Sequence, residues 1–337
     1  MTSLSLIDAL VTKNIQTTLY CVKPPEIKES QYFSIHRIKQ KKIPMFWRLQ
    51  KMMEVKQLFN LVSSSDILFV MSGGLTMEKS TAKKIYVYCN SSFSLETKFV
   101  EREFYGIKGI YFKRIQNNFK KSLKYLKNEN IELISNSDFT RKEIEKNLGI
   151  KSDIIYPPVD INKFLKVQNI KKEKKIVTIS RFSIEKNLEN VIEIFNKMNF
   201  PCELIGNAKH KSQFKVLDQL QAKKRKNVKI YNNISKIKIP HLLSSAKAYL
   251  HTSQETFGIS VVESIAAGCI PIVPDNSAHK ETVPFEELRY KNNEDAVKKI
   301  NDVMEGKFDD FLPKLSVHIK KFSKEIFQKN IIELINS

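Results

Sequence analysis

Residues 248–273 read AYLHTSQETFGISVVESIAAGCIPIV, and this stretch decides the fold. Ala248–His251 is a short apolar run of strand type. Phe257-Gly258-Ile259 is a tight turn, where glycine lets the backbone approach a ligand closely. A helix is predicted over Gly258–Ala267 and a second apolar strand over Ile270–Val273. Short buried strands alternating with helices imply parallel sheets covered on both faces. The amides of Gly258, Ile259 and Ser260 open the helix, and such helix ends bind anions. Glu255 and Glu263 stand eight residues apart around the turn. Two surface glutamates at that spacing are common; the Phe-Gly, Ala-Ala-Gly and Pro around them are not.

The pattern extends upstream. Residues 176–188, IVTISRFSIEKNL, read as a strand that delivers Ser180-Arg181 to its carboxyl end, with Lys186 following at a helix start. Two cations there could neutralise a diphosphate; the plainer reading is a pair of solvated surface charges. Strands are also predicted at Lys175–Ser180, Cys202–Ile205 (ending at Gly206) and Val228–Tyr231. Helices are predicted at Leu188–Met198, Gln213–Lys224 and Ile239–Ser245. Lys171–Lys175 (KKEKK) reads as a solvated hinge segment.

Before residue 158 the same alternation is visible. Helices are predicted at 3–13, Phe46–Val62, within Lys98–Lys127, and at Asp138–Leu148 with Ser137 or Asp138 as N-cap. Strands are predicted at Thr17–Val22, Asp66–Met71 (buried, ending at Ser72-Gly73-Gly74), Ile85–Tyr88, Ile131–Ser135 and Ile154–Tyr156. Pro157-Pro158 is a stiff junction. The expectation is two Rossmann-like, doubly wound domains facing a cleft, with ligands at the carboxyl ends of the strands. The domains are 1–157, 158–312 and a C-terminal helix in 313–337 that packs back on the first. Such a domain usually opens with a strand and a glycine turn, and this chain opens with a helix. An upstream start or a degraded copy is the expectation.

Composition bounds the function. The chain has 337 residues, 57 Lys+Arg against 36 Asp+Glu, a net charge of +21, and 42% hydrophobic residues. That suits a folded protein of two ordinary domains rather than a disordered chain. No apolar run reaches membrane-spanning length, and the first residues are not a signal peptide. Cys21, Cys89, Cys202 and Cys269 stand singly, so neither a zinc site nor a disulfide framework is indicated, and a reduced cytoplasmic compartment fits. The basic residues are 49 Lys and 8 Arg. Readers of nucleic-acid bases lean on arginine, so this surface is a blunter field. It suits nucleic acid, an anionic membrane or a phosphorylated substrate, or reflects a lysine-rich genome alone. Residues 35–130 carry 19 basic and 7 acidic residues, interleaved with Phe46, Trp47, Phe59, Phe104, Tyr105, Tyr111, Phe112, Phe119 and Tyr125. Basic and aromatic residues together on helices suit a membrane interface, and equally suit amphipathic helices facing a core. The six histidines have no spacing for a metal or a triad; His251, four before Glu255, reads as a core or supporting residue.

SNSDFTRKEI (135–144), IYPPVD (155–160), ISRFSIEKN (179–187) and ETFGISVVE (255–263) together resemble retaining GT-B glycosyltransferases of family 4 (group 1). The resemblance is clear over about 130–285. LHTSQETFGISVVESIAAG and IYPPVD also resemble the lipid-linked-oligosaccharide mannosyltransferases within that family. The resemblance implies a hexosyltransferase that moves a sugar, mannose in that subgroup, from a nucleotide-sugar to a lipid-linked or surface-glycan acceptor. Arg181 and Lys186 would bind the donor diphosphate in place of a metal. Glu255 would sit by the donor sugar and Glu263 would hold the ribose hydroxyls. Phe257, Gly258, Ile259 and Ser260 would line the phosphate or sugar, and Gly206 and Tyr231 would border the base. No metal or other cofactor is expected, and no nucleic acid. The place of work would be the inner face of the cell membrane, as a peripheral protein. Two departures stand out. Asn90, in YCNSSF, occupies a position where the family often has histidine. Asn276–Glu281 replaces a usual Gly-Gly pair. The alternative reading is a non-catalytic basic protein on the same scaffold, binding membrane or nucleic acid.

Overall fold

The computed structural model describes residues 2–21, 25, 27–37, 47–62, 65–71, 78–91, 106–167 and 170–337. The chain divides into two compact units. One is Met1–Tyr156 with Phe327–Ser337, and the other is Pro157–Ile326.

The first unit runs α1 (Thr2–Thr12), β1 (Thr17–Cys21), β2 (Phe33–Arg37), α2 (Trp47–Leu61), β3 (Ile67–Val70), β4 (Lys84–Cys89), α3 (Gly106–Tyr125), β5 (Ile131–Ser135), α4 (Asp138–Leu148) and β6 (Ser152–Ile154). Strands β3-β4-β5-β6 form a parallel sheet in that order, and β1 and β2 form a separate parallel pair. The sequence of β4, KIYVYC, explains why helices cover both faces. Alternate side chains of a strand point to opposite faces. Ile85, Val87 and Cys89 enter one core with Phe59, Leu126 and Ile144. Tyr86 and Tyr88 enter another with Leu6, Leu10, Phe327 and Ile331. Ser137 caps α4 by accepting from the Thr140 amide, and left-handed Gly149 ends it.

The second unit runs α5 (Ile161–Leu165), β7 (Glu173–Arg181), α6 (Leu188–Asn196), β8 (Cys202–Asn207), α7 (Lys211–Lys223), β9 (Val228–Asn232), α8 (Ile239–Ser245), β10 (Ala246–Leu250), α9 (Ile259–Ala266), β11 (Ile270–Pro274), α10 (His279–Thr282), β12 (Arg289–Tyr290), α11 (Asn293–Glu305) and α12 (Phe311–His318). The last helix, α13 (Lys324–Asn336), begins in this unit and is assigned to the first from Phe327 on. The six strands are parallel in the order β12-β11-β10-β7-β8-β9. Ile176, Val177, Leu204, Tyr249, Leu250 and Ile272 are fully buried or nearly so, as strands covered on both faces require. The strand order reverses between β7 and β10, the switch point where open α/β sheets bind ligands.

Several expectations need correction. Lys171–Lys175 is solvated only in part: Lys171, Glu173 and Lys174 are exposed, but β7 starts at Glu173 and Lys175 is buried. Its Nζ donates to Ser245 Oγ at 2.8 Å and faces Glu203 at 3.6 Å, so the charge is answered inside the fold. The strand before the Pro-Pro junction is Ser152–Ile154 rather than Ile154–Tyr156, because it pairs only with Leu133–Ser135. Strand β3 is half exposed rather than buried, as an edge strand of its sheet can be. Strand β2 was not expected at all. The segment 313–337 divides at Phe327: its last residues belong to the first unit, where Phe327 and Ile331 enter the core. Phe59 lies in the core, and Phe119 and Tyr125 pack against it, so these aromatics face protein. Ser72-Gly73-Gly74, Phe46, Phe104 and Tyr105 lie outside the described residues.

Candidate active site

Strands β7 and β10 deliver the two segments that the sequence singled out. Arg181 ends β7, and Lys186 closes a short 3-10 turn, Ile184–Lys186, just beyond it. His251 is the first residue past β10. Its amide donates to the Ile272 carbonyl at 3.0 Å, and its own carbonyl accepts from the Tyr290 hydroxyl at 2.9 Å. The loop 251–258 is therefore anchored before it turns. At its end Gly258 takes φ 93° and caps α9, a backbone conformation that side chains other than glycine resist.

Lys186 and Glu255 meet there. Lys186 Nζ lies 2.5 Å from Glu255 Oε1, with both side chains under one-fifth exposed. His251 Nε2 lies 3.0 Å from the same oxygen, and Ser253 Oγ donates to it at 3.0 Å. Burial pushes the Glu255 carboxyl up, but the His251 hydrogen bond and the Lys186 ammonium outweigh it, to about 2. Glu255 is ionised at any working pH. A second loop braces the first. The Glu255 amide donates to Ser277 Oγ at 3.2 Å, the Ala278 amide donates to the Glu255 carbonyl at 3.2 Å, and His279 Nε2 lies 2.9 Å from the Ser253 carbonyl. Burial, with His251 beside it, pushes His279 down to about 3, so that ring is uncharged.

Glu263 stands apart. It lies on α9, which packs against α5. Burial pushes its carboxyl up to about 7; the Lys163 ammonium opposes this and Asp160 adds to it. Among the described residues its carboxylate has no hydrogen-bond or salt-bridge partner. A half-buried carboxylate left unpaired is costly, and a ligand hydroxyl pair would supply the missing donors.

The description "Glycosyl transferases group 1" matches residues 160–325. Residues 160–325 carry a glycosyltransferase group 1 domain. The group 1 domain thus covers the second unit, with Lys186, Glu255 and Glu263 inside it. A GDP-Man:Man(3)GlcNAc(2)-PP-Dol alpha-1,2-mannosyltransferase from Dictyostelium discoideum is 30% identical over 161 residues, 41% of this chain and 32% of that protein. The match therefore spans about a third of the length of that curated relative. Among solved structures, HepE of Anabaena in complex with UDP and glucose is similar with a TM-score of 0.71 at 14% identity, covering 100% of this chain and 96% of that one. A glycosyltransferase from Rickettsia africae is similar at 0.69 and 14% identity, covering 99% and 93%. The fold is that of GT-B glycosyltransferases, with two parallel-sheet units.

The group 1 domain distributes the expected site residues unevenly. Lys186 and Glu255 are in direct contact. Arg181 is two-thirds exposed and reaches Glu185 at 3.8 Å, so it does not share the Glu255 cluster. Ser260 is held by the buried Tyr249, whose hydroxyl lies 2.9 Å from Ser260 Oγ. Phe257 is buried and packs edge-on against Phe322, and Ile259 is half-buried. Phe257 therefore shapes the turn from beneath. Gly206 is a packing requirement: a Cβ there would fall 2.5 Å from Phe182 Cζ. Tyr231 is half-buried; burial and the Glu203 carboxylate beside it push its hydroxyl up. No role for Ser253, Ser277 or His279 follows from the sequence pattern. The spacing of His251 and Glu255 was the available signal, since residues four apart across a tight loop can return to one point.

Proposed function

We propose that this chain is a retaining hexosyltransferase that moves mannose from a nucleotide-sugar to a lipid-linked or surface-glycan acceptor, with no metal at the diphosphate. The observation that carries the reading is the pairing of Lys186 with Glu255 at the sheet's switch point, with Glu263, unpartnered among the described residues, on the helix that follows the same loop. On donor binding Lys186 meets the diphosphate, and Arg181, free to swing from its exposed position, joins it. As the bond from the sugar to the diphosphate breaks, the electron pair leaves on the phosphate oxygen, and the two cations stabilise it. Glu255 sits by the donor sugar and steadies its developing positive charge. Glu263 accepts from the ribose hydroxyls, and the amides of Gly258, Ile259 and Ser260 meet phosphate or sugar. Gly206 and Tyr231 border the base.

The acceptor side is proposed to lie in the first unit, working as a peripheral protein at the inner, cytoplasmic face of an anionic membrane. No helix among the described residues is long and apolar enough to cross a membrane. Helix α3 supports surface attachment. Lys113, Arg114, Lys120, Lys121 and Lys124 are exposed along it, with Ile110 72% exposed at its start, and no described carboxylate pairs with them. Such a face gains about 1 kcal/mol per cation near an anionic bilayer.

A donor screen tests the reading. GDP-, UDP- and ADP-sugars are compared by thermal shift, and the stabilising donor is then tested for transfer, with and without chelator. One stabiliser, chelator-resistant transfer and a product of unchanged anomeric configuration are expected. A flat response with salt-sensitive RNA binding overturns the reading.

A further inference from the structure

We propose that His251, helped by Ser253, is a positioning residue that fixes Glu255 by its Oε1 and so presents Oε2 to the donor sugar. The inference rests on the reading of Glu255 given above. Three donors converge on one oxygen: Lys186 Nζ, His251 Nε2 and Ser253 Oγ. No described residue partners Oε2. The contacts are not equivalent in what they can do. Lys186 is a long, flexible side chain that the diphosphate would draw away from Glu255. His251 and Ser253 cannot leave. The His251 ring lies between Tyr249, near-parallel at 6.3 Å, and His279, edge-on at 5.1 Å. It is 3% exposed, and Ser253 is 4% exposed. Ser253 Oγ is also 3.0 Å from His251 Nε2, which closes a triangle around Oε1.

The second ring nitrogen gives the direction of the bond. His251 Nδ1 is buried with no partner, so a proton there would have no acceptor. Nε2 is the nitrogen that donates, and Glu255 accepts. His279 supports this without competing, since its own Nε2 is spent on the Ser253 carbonyl. The result is a carboxylate whose orientation survives the departure of Lys186 at the moment when the sugar needs it.

The test compares His251→Leu, His251→Gln and Ser253→Ala in the full chain. Glutamine places an amide N–H near the position of Nε2. The leucine variant should lose about 100-fold in kcat with KM for the donor and nucleoside-diphosphate affinity within about two-fold, because misplacing a catalytic group costs turnover rather than binding. Glutamine should restore kcat to within about ten-fold of the native protein, and Ser253→Ala should lose about ten-fold. Equal losses in kcat and diphosphate affinity, or no rescue by glutamine, overturn the proposal. A readout independent of turnover is the ¹⁵N spectrum of labelled histidine, with His251 assigned by its absence in His251→Gln. A proton on Nε2 whose signal moves in Glu255→Gln is expected; a ring protonated on Nδ1 alone, or an unmoved signal, overturns it. A native protein that transfers no sugar from any donor sinks the functional reading, and the spectrum then decides this inference by itself.

Discussion

Two lysine–glutamate pairs lie at opposite ends of the same six-stranded sheet. Lys175 and Glu203 sit near the amino ends of β7 and β8, with Nζ and Oε2 3.6 Å apart and side chains 8% and 11% exposed. Lys186 and Glu255 sit past the carboxyl ends of β7 and β10, at 2.5 Å and 17% and 19% exposed. The residue types are the same and the burial is similar. The surroundings differ. Lys175 is also answered by Ser245 and Glu173, and all its partners stand on the sheet or on the helix end that leads into β10. Around Lys186 and Glu255 the backbone takes positive φ at Asn187, Gly258 and Ser277. Backbone held in sparsely populated conformations clusters where function needs it. The pair at the amino end belongs to the sheet; the pair at the carboxyl end belongs to loops that the sheet merely holds.

The comparison is broken most directly by removing each lysine. Lys186→Ala should reduce sugar transfer by about 10²–10³-fold, the cost of losing one charge-stabilising donor. The fold should barely notice, because His251 and Ser253 remain on Glu255 Oε1. Steady-state transfer and a denaturation curve on the same sample check both halves. Lys175→Ala should do the reverse. Glu203 Oε2 is buried and already lacks a hydrogen bond, so losing the ammonium leaves a bare charge. The expected cost is about 3–5 kcal/mol of stability, with transfer unchanged in the folded fraction. The double variant Lys175→Met with Glu203→Leu should recover most of it, since apolar replacement of a buried pair is often neutral. Equal losses of transfer in both single variants would erase the distinction.

Much of this was legible in the sequence. ISRFSIEKN and ETFGISVVE placed Lys186, Glu255 and Glu263 in one unit, because strand–turn–helix spacing fixes where carboxyl ends fall. Helices and strands of the second unit lie close to their expected positions for the same reason. Lys175 departs from its expected exposure because a run of charges looks the same whether its members face water or Ser245 and Glu203. His251 reads from the sequence only as a core or supporting residue, and Ser253 and His279 carry no signal there, since their roles depend on the loop folding back on itself, and periodicity carries no record of that. The contrast between Glu255 and Glu263 was likewise invisible. Both are glutamates eight residues apart, and only burial and partners push one down to about 2 and the other up to about 7.

That contrast gives the next prediction. The folded Glu263 carboxyl titrates near 7 against an ordinary value of 4.5. A raised carboxyl means that the folded state holds its proton longer than the unfolded chain. Stability from this group is therefore complete below about pH 4.5 and is lost as pH rises through 7. The full loss is about 3 kcal/mol. Glu263→Gln removes it, so the variant should be the more stable protein at pH 8, and the difference should vanish near pH 4.5. Urea melts at several pH values read this directly; a constant difference would refute it. If Glu263 accepts from the ribose, native nucleotide affinity should rise between pH 6 and 8 as the carboxylate forms, and the glutamine variant should lose that rise.

The smallest expected effect probes the strand ends between the two pairs. Gly206 is near the carboxyl end of β8, three residues beyond Glu203 on the same strand. A Cβ there would fall 2.5 Å from Phe182 Cζ and 2.7 Å from the Ser180 carbonyl. Phe182 is fully buried, so the ring has nowhere easy to go. Gly206→Ala should cost about 1–3 kcal/mol from overpacking. Adding Phe182→Leu should return only part of this, because the carbonyl contact belongs to the backbone of β7 and cannot be trimmed. That remaining strain pushes on Ser180 and hence on Arg181 and the turn that carries Lys186. Donor affinity should therefore fall a few-fold in the double variant while the Lys175–Glu203 end of the sheet is undisturbed. Full recovery of both stability and affinity would mean that β8 does not transmit strain to the carboxyl ends, and that the two pairs are independent even at their shared strand.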